Sequence, residues 1–183
     1  MARVDFGKKA WLYPEPVLII GTYDEKGVPN AMNAAWGAMY DFTEVVISLS
    51  EHKTTENLLK KGAFSLSFAT KKTMEAADYV GIVSGKKVPN KIEKVGWHAL
   101  PSKFVDAPLF EELPLAMECK VKSFEGGILV GEIVNVSADE SILTDGKPDV
   151  RKLEAICFDP LGNHYVLANE VVGDAFQSKA KFQ

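Results

Sequence analysis

The stretch Val17-Leu18-Ile19-Ile20-Gly21-Thr22-Tyr23, followed at once by Asp24-Glu25-Lys26-Gly27, sets the reading of the chain. The first seven residues are mostly β-branched or aromatic, which suits a pleated strand. The next four carry an Asp and a Gly able to take positive φ, the signature of a turn. Outward from there the same alternation of run and turn continues. Val28 to Tyr40 reads as a second extended segment, and Val45-Val46-Ile47-Ser48-Leu49-Ser50 as a further strand. Ala63-Phe64-Ser65-Leu66-Ser67-Phe68-Ala69 alternates strictly, which predicts one buried face and one polar or cavity-facing face.

Helical patterns are fewer. Thr55 to Lys61 is preceded by a Thr, has Glu56 in its first turn and lysines in its last, and meets Gly62 as a C-cap. Lys72 to Val83 has Met74, Ala77, Val80 and Ile82 or Val83 at roughly helical spacing. The later half returns to strands. Leu115 to Phe124 and Ile128 to Ser137 flank Gly126-Gly127 as a hairpin, and Leu153 to Phe158 and His164 to Ala168 flank a breaker-rich turn from Asp159 to Asn163. No repeat, low-complexity tract or linker divides the chain. The reading is one domain over residues 1–183, mainly β, a barrel with a few appended helices.

Composition narrows the function classes. With 21 Lys and Arg against 25 Asp and Glu the net charge is −4, unlike the basic footprint of a nucleic-acid binder. No run approaches the 18 or so apolar residues of a membrane span, and the Val17–Gly21 run is too short for a signal-peptide core, so a cytoplasmic protein with no membrane partner is expected. Cys119 and Cys157 sit in apolar or alternating segments as small buried thiols. With no CxxC, and with His52, His98 and His164 scattered, no metal site is expected.

Two stretches could carry chemistry. Asn30-Ala31-Met32-Asn33-Ala34-Ala35-Trp36-Gly37-Ala38-Met39 strings small residues along a strand-like segment, where a planar ligand can approach the backbone; close packing of strand on helix needs the same small residues. Ser48-Leu49-Ser50-Glu51-His52-Lys53-Thr54-Thr55-Glu56-Asn57 runs from a strand end into a helix start. Hydroxyls, a lysine and free helix amides there suit a dianionic phosphate, while an N-capping Thr on a solvated helix gives the same pattern. Trp36, in an apolar strand, reads equally as core. His164-Tyr165, after a turn, reads equally as a surface pair, and His52 and His98 as solvated loop residues. There is no GxGxxG after a strand, no GxxxxGK[ST], no GxSxG and no HExxH. Demanding chemistry on this chain then belongs to a bound cofactor, and no catalytic side chain is nominated.

A longer order of residues carries a resemblance. Pro16-Val17 precedes the first strand, Asp24 and Gly27 form the turn, and Pro29-Asn30, Ala35-Trp36 and Val46-Ile47-Ser48-Leu49 follow. Then come Lys53-Thr54-Thr55-x-Asn57, Gly62-x-Phe64, Ala77-Asp78-Tyr79-x-Gly81 with Ser84-Gly85, and Asn90-Lys91-Ile92-Glu93. Leu115, Glu118-Cys119, Gly131-Glu132-Ile133, Tyr165 and Val172-Gly173 complete it. From Pro14 to Phe176 the chain resembles the flavin reductase-like, FMN-binding split barrel family, and within it the flavoredoxin branch. The resemblance implies a split β-barrel that binds FMN and reduces flavin or a downstream acceptor with NADH or NADPH. It also implies a homodimer with the flavin near the subunit interface. Carried over by position, Asn33, Ala34, Ala35, Trp36 and Gly37 lie along the flavin ring and ribityl chain. Ser48, Leu49 and Ser50 with Lys53, Thr54 and Thr55 receive the ribityl tail and phosphate, and Lys91 is a further candidate for the phosphate. Trp36 could border the ring and His164-Tyr165 the nicotinamide side. Two departures stand out: Lys53 replaces a frequent Arg or Ser, and Asp41-Phe42-Thr43 replaces an Asp-Pro-Pro-like turn. Two alternatives stay open, an FMN electron carrier reduced by a protein partner, and a structural or sensory barrel that binds no flavin.

Overall fold

The structure, a computed structural model, describes residues 1–178. In chain order its strands are β1 (Glu15–Pro16), β2 (Leu18–Tyr23), β3 (Pro29–Ala34), β4 (Gly37–Asp41), β5 (Glu44–Ser48), β6 (Ala63–Phe68), β7 (Ala99–Pro101), β8 (Pro108–Phe110), β9 (Leu115–Glu125) and β10 (Ile128–Ala138). The short pair β11 (Leu143–Thr144) and β12 (Lys147–Pro148) follows, then β13 (Ile156–Asp159) and β14 (His164–Leu167). The helices are α1 (Lys53–Lys61), α2 (Met74–Ile82), α3 (Lys91–Lys94) and α4 (Val150–Leu153).

Seven strands make one antiparallel sheet in the order β3-β2-β6-β9-β10-β5-β4. Laid flat, seven strands would put β3 and β4 about 29 Å apart at roughly 4.8 Å per neighbour. Only Ala35 and Trp36 join these two edges, and the steps from Ala34 to Gly37 reach at most about 11 Å. The sheet therefore curls until its edges nearly meet, which is the predicted mainly-β split barrel. The expected single segment from Val28 to Tyr40 is thus two strands on opposite edges. The break falls where the Gly37 amide donates back to the Ala35 carbonyl (3.0 Å), a tight bend that no Asn-Gly or Pro announces.

Each face of the sheet carries its own apolar cluster. Leu18, Ile20, Ile47, Leu58, Phe64, Leu66, Cys119 and Leu129 pack on one side, and Val17, Ile19, Ala31, Ala77, Val80, Ile92, Trp97 and Phe110 on the other, under α2 and α3. Successive β2 residues point to opposite faces, so Ile19 enters one cluster while Leu18 and Ile20 enter the other, and the strand reads as continuously apolar. The same double cover corrects the reading of β6. Phe64 and Leu66 face one core as expected, but Ser65 and Ser67 are buried too; β8 lies over Ser65, whose hydroxyl donates to the Pro108 carbonyl. The Gly126-Gly127 turn joins β9 to β10 as expected, both glycines at positive φ (57° and 82°), which the mirror-image hairpin turn requires. Cys119 is the expected buried thiol, pushed up to about 12 by burial; Cys157 is only half-buried. The strand expected from Leu153 begins only at Ile156. Asp149 accepts from the Arg151 amide (2.9 Å) and caps α4, whose end is turned by Glu154 at φ 49°.

Candidate functional site

The expected helix from Thr55 starts two residues earlier, at Lys53, after an extended His52 that makes no side-chain cap. Its first-turn amides have no carbonyl one turn back and open outward, as at any helix start. The two threonines differ in role. Thr55 spends its hydroxyl hydrogen on the Ser50 carbonyl (2.8 Å), locking the strand-to-helix turn. Thr54 instead accepts at its oxygen from the Asn30 side-chain amide (2.7 Å), which leaves its own hydrogen free to donate. Asn30 stands on β3, so the edge strand orients the hydroxyl that the helix presents.

The opposite wall is the end of α2 and the turn after it. Asn30, Met32, His52, Lys53, Thr54, Gly81, Ser84, Gly85 and Lys91 line one narrow cleft. The walls approach so closely that a Cβ on Gly85 would stand 2.3 Å from the Asn30 amide oxygen. That oxygen is buried and has no partner among the described residues. Lys91 is buried and reaches the same cleft, donating to the carbonyls of Val80 and Val83 (2.8 Å each); burial lowers its ammonium pKa to about 8. Lys53, Thr54 and Lys91, distant in sequence, thus share one anion-seeking corner.

Further along β3, roughly 13 Å from Asn30 at about 3.3 Å per residue, the lining turns apolar and flat. Asn33, Ala34 and Ala35 with Val17, Phe158 and Tyr165 bound a second cleft of about 180 Å³. Asn33 is tied to α2 through the Ala77 carbonyl (3.1 Å). Tyr165 is not the plain surface hairpin residue of the simpler reading. Its hydroxyl donates to Asp78 (2.7 Å), and burial, with that hydrogen bond, pushes it up to about 12.

The other predicted site residues sit apart from this line. Trp36 is 61% exposed, not core, and faces Trp11, Leu12 and Glu15 across an open cleft of about 400 Å³. Gly37 has a packing reason to be glycine, since a Cβ there would come 2.5 Å from the Leu18 side chain. Leu49 is buried in the barrel core, while Ser48 and Ser50 are exposed at the strand end. A roomier cleft of about 380 Å³, lined by Pro29, Pro89 and Trp97, has no lysine or arginine in its lining. The donors of the narrow cleft outweigh that volume, because an anion needs partners before it needs space. Asn30 opens the small-residue stretch singled out in the sequence but is not among the residues nominated there as contacts. It is visible in Pro29-Asn30, but nothing local ties it to a threonine 24 positions on.

Comparison with known proteins gives consistent results. The family model described as flavin reductase like domain matches residues 10–154. The flavoredoxin of Desulfovibrio vulgaris (Miyazaki F) is similar over 97% of this chain and 99% of its own, at 33% identity and a TM-score of 0.93. A flavoredoxin from Methanosarcina acetivorans is similar over 99% and 100%, at 25% identity and a TM-score of 0.88. A protein of Archaeoglobus fulgidus without an assigned function is 32% identical over 147 residues, covering 76% of this chain and 81% of its own.

Proposed function

From the premise that the chain belongs to the flavin reductase-like domain family, we propose that it holds FMN along the β3 edge as an oxidoreductase served by NADH or NADPH. The observation that carries this is the corner, walled by the Ser84–Gly85 turn, where Lys53, the free hydrogen of Thr54 and the open amides of α1 converge. A phosphate monoester dianion is the group such donors match, with the helix dipole aligned on it. Ala34 and Ala35 leave room for a planar ring system against the backbone, and Phe158 and Tyr165 form its apolar side. When bound, FMN supplies the redox chemistry that no side chain here offers. The chain's own part is to grip the charged end, orient the flat end and keep one face open to a donor. Tyr165, beside the flat end, is the residue we assign to that open side.

The test is spectroscopic. Protein as purified, or after FMN titration, should show the two-banded flavin spectrum, and NADH or NADPH without oxygen should bleach it. Colourless protein that takes up no FMN would overturn the reading. The likeness to two flavoredoxins favours a second reading, an FMN electron carrier reduced by a protein partner. That version predicts bound flavin that stays oxidised with NADH and NADPH yet is reduced by an added redox partner.

We also propose a homodimer. Trp36, Met39, Tyr40 and Phe42 are 53% to 99% exposed along the outer edge strand β4, and Trp11, Leu12 and Tyr13 of the N-terminal arm are 41% to 76% exposed. Apolar side chains in such number beside an unpaired strand edge suit a second copy of the chain. No helix among the described residues is long and apolar enough to cross a membrane.

A further inference from the structure

We infer that Lys91 is a positioning residue: its buried ammonium ties the last turn of α2 to the start of α3, and so holds the Ser84–Gly85 turn shut against Asn30 and the α1 N-terminus. This deepens the FMN reading and rests on it. A direct phosphate ligand would spend its hydrogens on the anion; two of the three hydrogens of Lys91 already point at main-chain carbonyls, those of Val80 and Val83.

Those carbonyls lie at the C-terminal end of α2, where the last C=O groups have no helical partner and the helix dipole is negative. Between Val83 and Lys91 the chain makes a short excursion, in which the Ser84 carbonyl accepts from the amides of Lys87 and Val88 (3.0 Å each). One side chain thus pins both ends of that excursion. Its middle is the wall that meets Asn30, where Gly85 admits no Cβ. A second tether joins the same turn to α1, the Lys86–Glu56 pair, but both partners are about half-exposed, and exposed pairs contribute little. The buried tether carries the wall.

An ammonium is an expensive group to hide. Lys91 is 2% exposed with no carboxylate beside it among the described residues, only carbonyl dipoles, and burial alone lowers its pKa to about 8. The charged or titratable groups facing it across the cleft are Lys53 and His52 of the α1 start, and Lys86 and Lys87 lie on the excursion itself. None is an acid that would restore the charge. As pH rises through about 8, the ammonium loses its charge and one of three hydrogens. The charge-assisted bonds to Val80 and Val83 weaken, and the wall loosens.

The experiment titrates FMN and riboflavin separately into the full chain by flavin fluorescence, between pH 6.5 and 9.5. Riboflavin lacks the phosphate, so it reports the wall and not the anion contact. In wild-type protein riboflavin affinity should fall several-fold across pH 8. Lys91→Met should weaken both flavins by about the same factor, roughly tenfold, and flatten the pH step. Lys91→Arg, which stays charged throughout, should retain most of the affinity and also lose the step; it serves as the folded control if Lys91→Met lowers stability. Lys53→Met should weaken FMN and spare riboflavin. A Lys91→Met variant that loses FMN alone would make Lys91 a phosphate ligand and overturn the inference. Unchanged affinity for both flavins would overturn it too. Wild-type protein that binds neither flavin would refute the FMN reading itself.

Discussion

The two edges of the barrel, β3 and β4, come from one stretch of chain and meet opposite fates. β3 is covered: α2 packs along it, α1 abuts it, and the side-chain N–H groups of its asparagines have partners, Asn30 on Thr54 and Asn33 on the Ala77 carbonyl. β4 is bare: Ala38, Met39, Tyr40 and Asp41 are all exposed, and Phe42 beyond it is almost fully so. A covered edge can be shaped, because helix ends bring amides, hydroxyls and ammonium groups to fixed places beside it. A bare apolar edge awaits another sheet edge. That difference is why we propose cofactor binding at the first edge and self-association at the second.

The largest effect expected from a single substitution falls on neither edge. Phe64 lies fully buried in the strand pairing β2 with β9, and Phe64→Ala should cost about 3–5 kcal/mol of folding stability, read by denaturant unfolding. Because the edges meet only while the sheet is closed, FMN affinity and self-association should fail together in that variant. Survival of either alone would break the link between closure and both properties.

Next in size is the covered edge. Lys53→Met combined with Thr54→Val removes an ammonium and a hydroxyl, and FMN affinity should fall about 100-fold, near 2.7 kcal/mol, while the Asn30 amide left without its acceptor should lower folding stability by about 1–3 kcal/mol. A smaller loss sharpens the same point. Gly85→Ala places a methyl group where the Asn30 amide oxygen stands, and should weaken FMN about tenfold by pushing Asn30 off Thr54. The smallest effect on stability belongs to the bare edge. Tyr40→Asp with Phe42→Asp should move folding by no more than about 0.5 kcal/mol, since both residues are exposed in the single chain. Light scattering should nevertheless show the mass drop from twice 20.1 kDa to 20.1 kDa. If the mass does not change, β4 is not the interface.

Much of the architecture is legible in the order of residues alone. The β9–β10 hairpin announces itself through Gly126-Gly127, α1 through its lysines and Gly62, and β2 through a β-branched run closed by Asp24 and Gly27. What escapes is whatever depends on the other side of the molecule. The polar face of β6 looks free because β8, which covers it, arrives some 40 residues later. Trp36 reads as core in any apolar strand, and only its position at the seam between two edges puts it outside. The start of α1 moves from Thr55 to Lys53, and with it the two threonines become unlike.

By itself the sequence determined most of the longer strands and helices, though not the break at Ala35-Trp36, and which segment is rich in anion donors. Those signals are local: side-chain period, turn chemistry and caps act over a few residues. The tertiary structure alone decided that Asn30 orients Thr54, that Lys91 clamps α2, and that one edge is covered while the other is not. Such partnerships join residues far apart in the chain. They exist only because burying apolar surface on both faces of one sheet curls it until its ends come together.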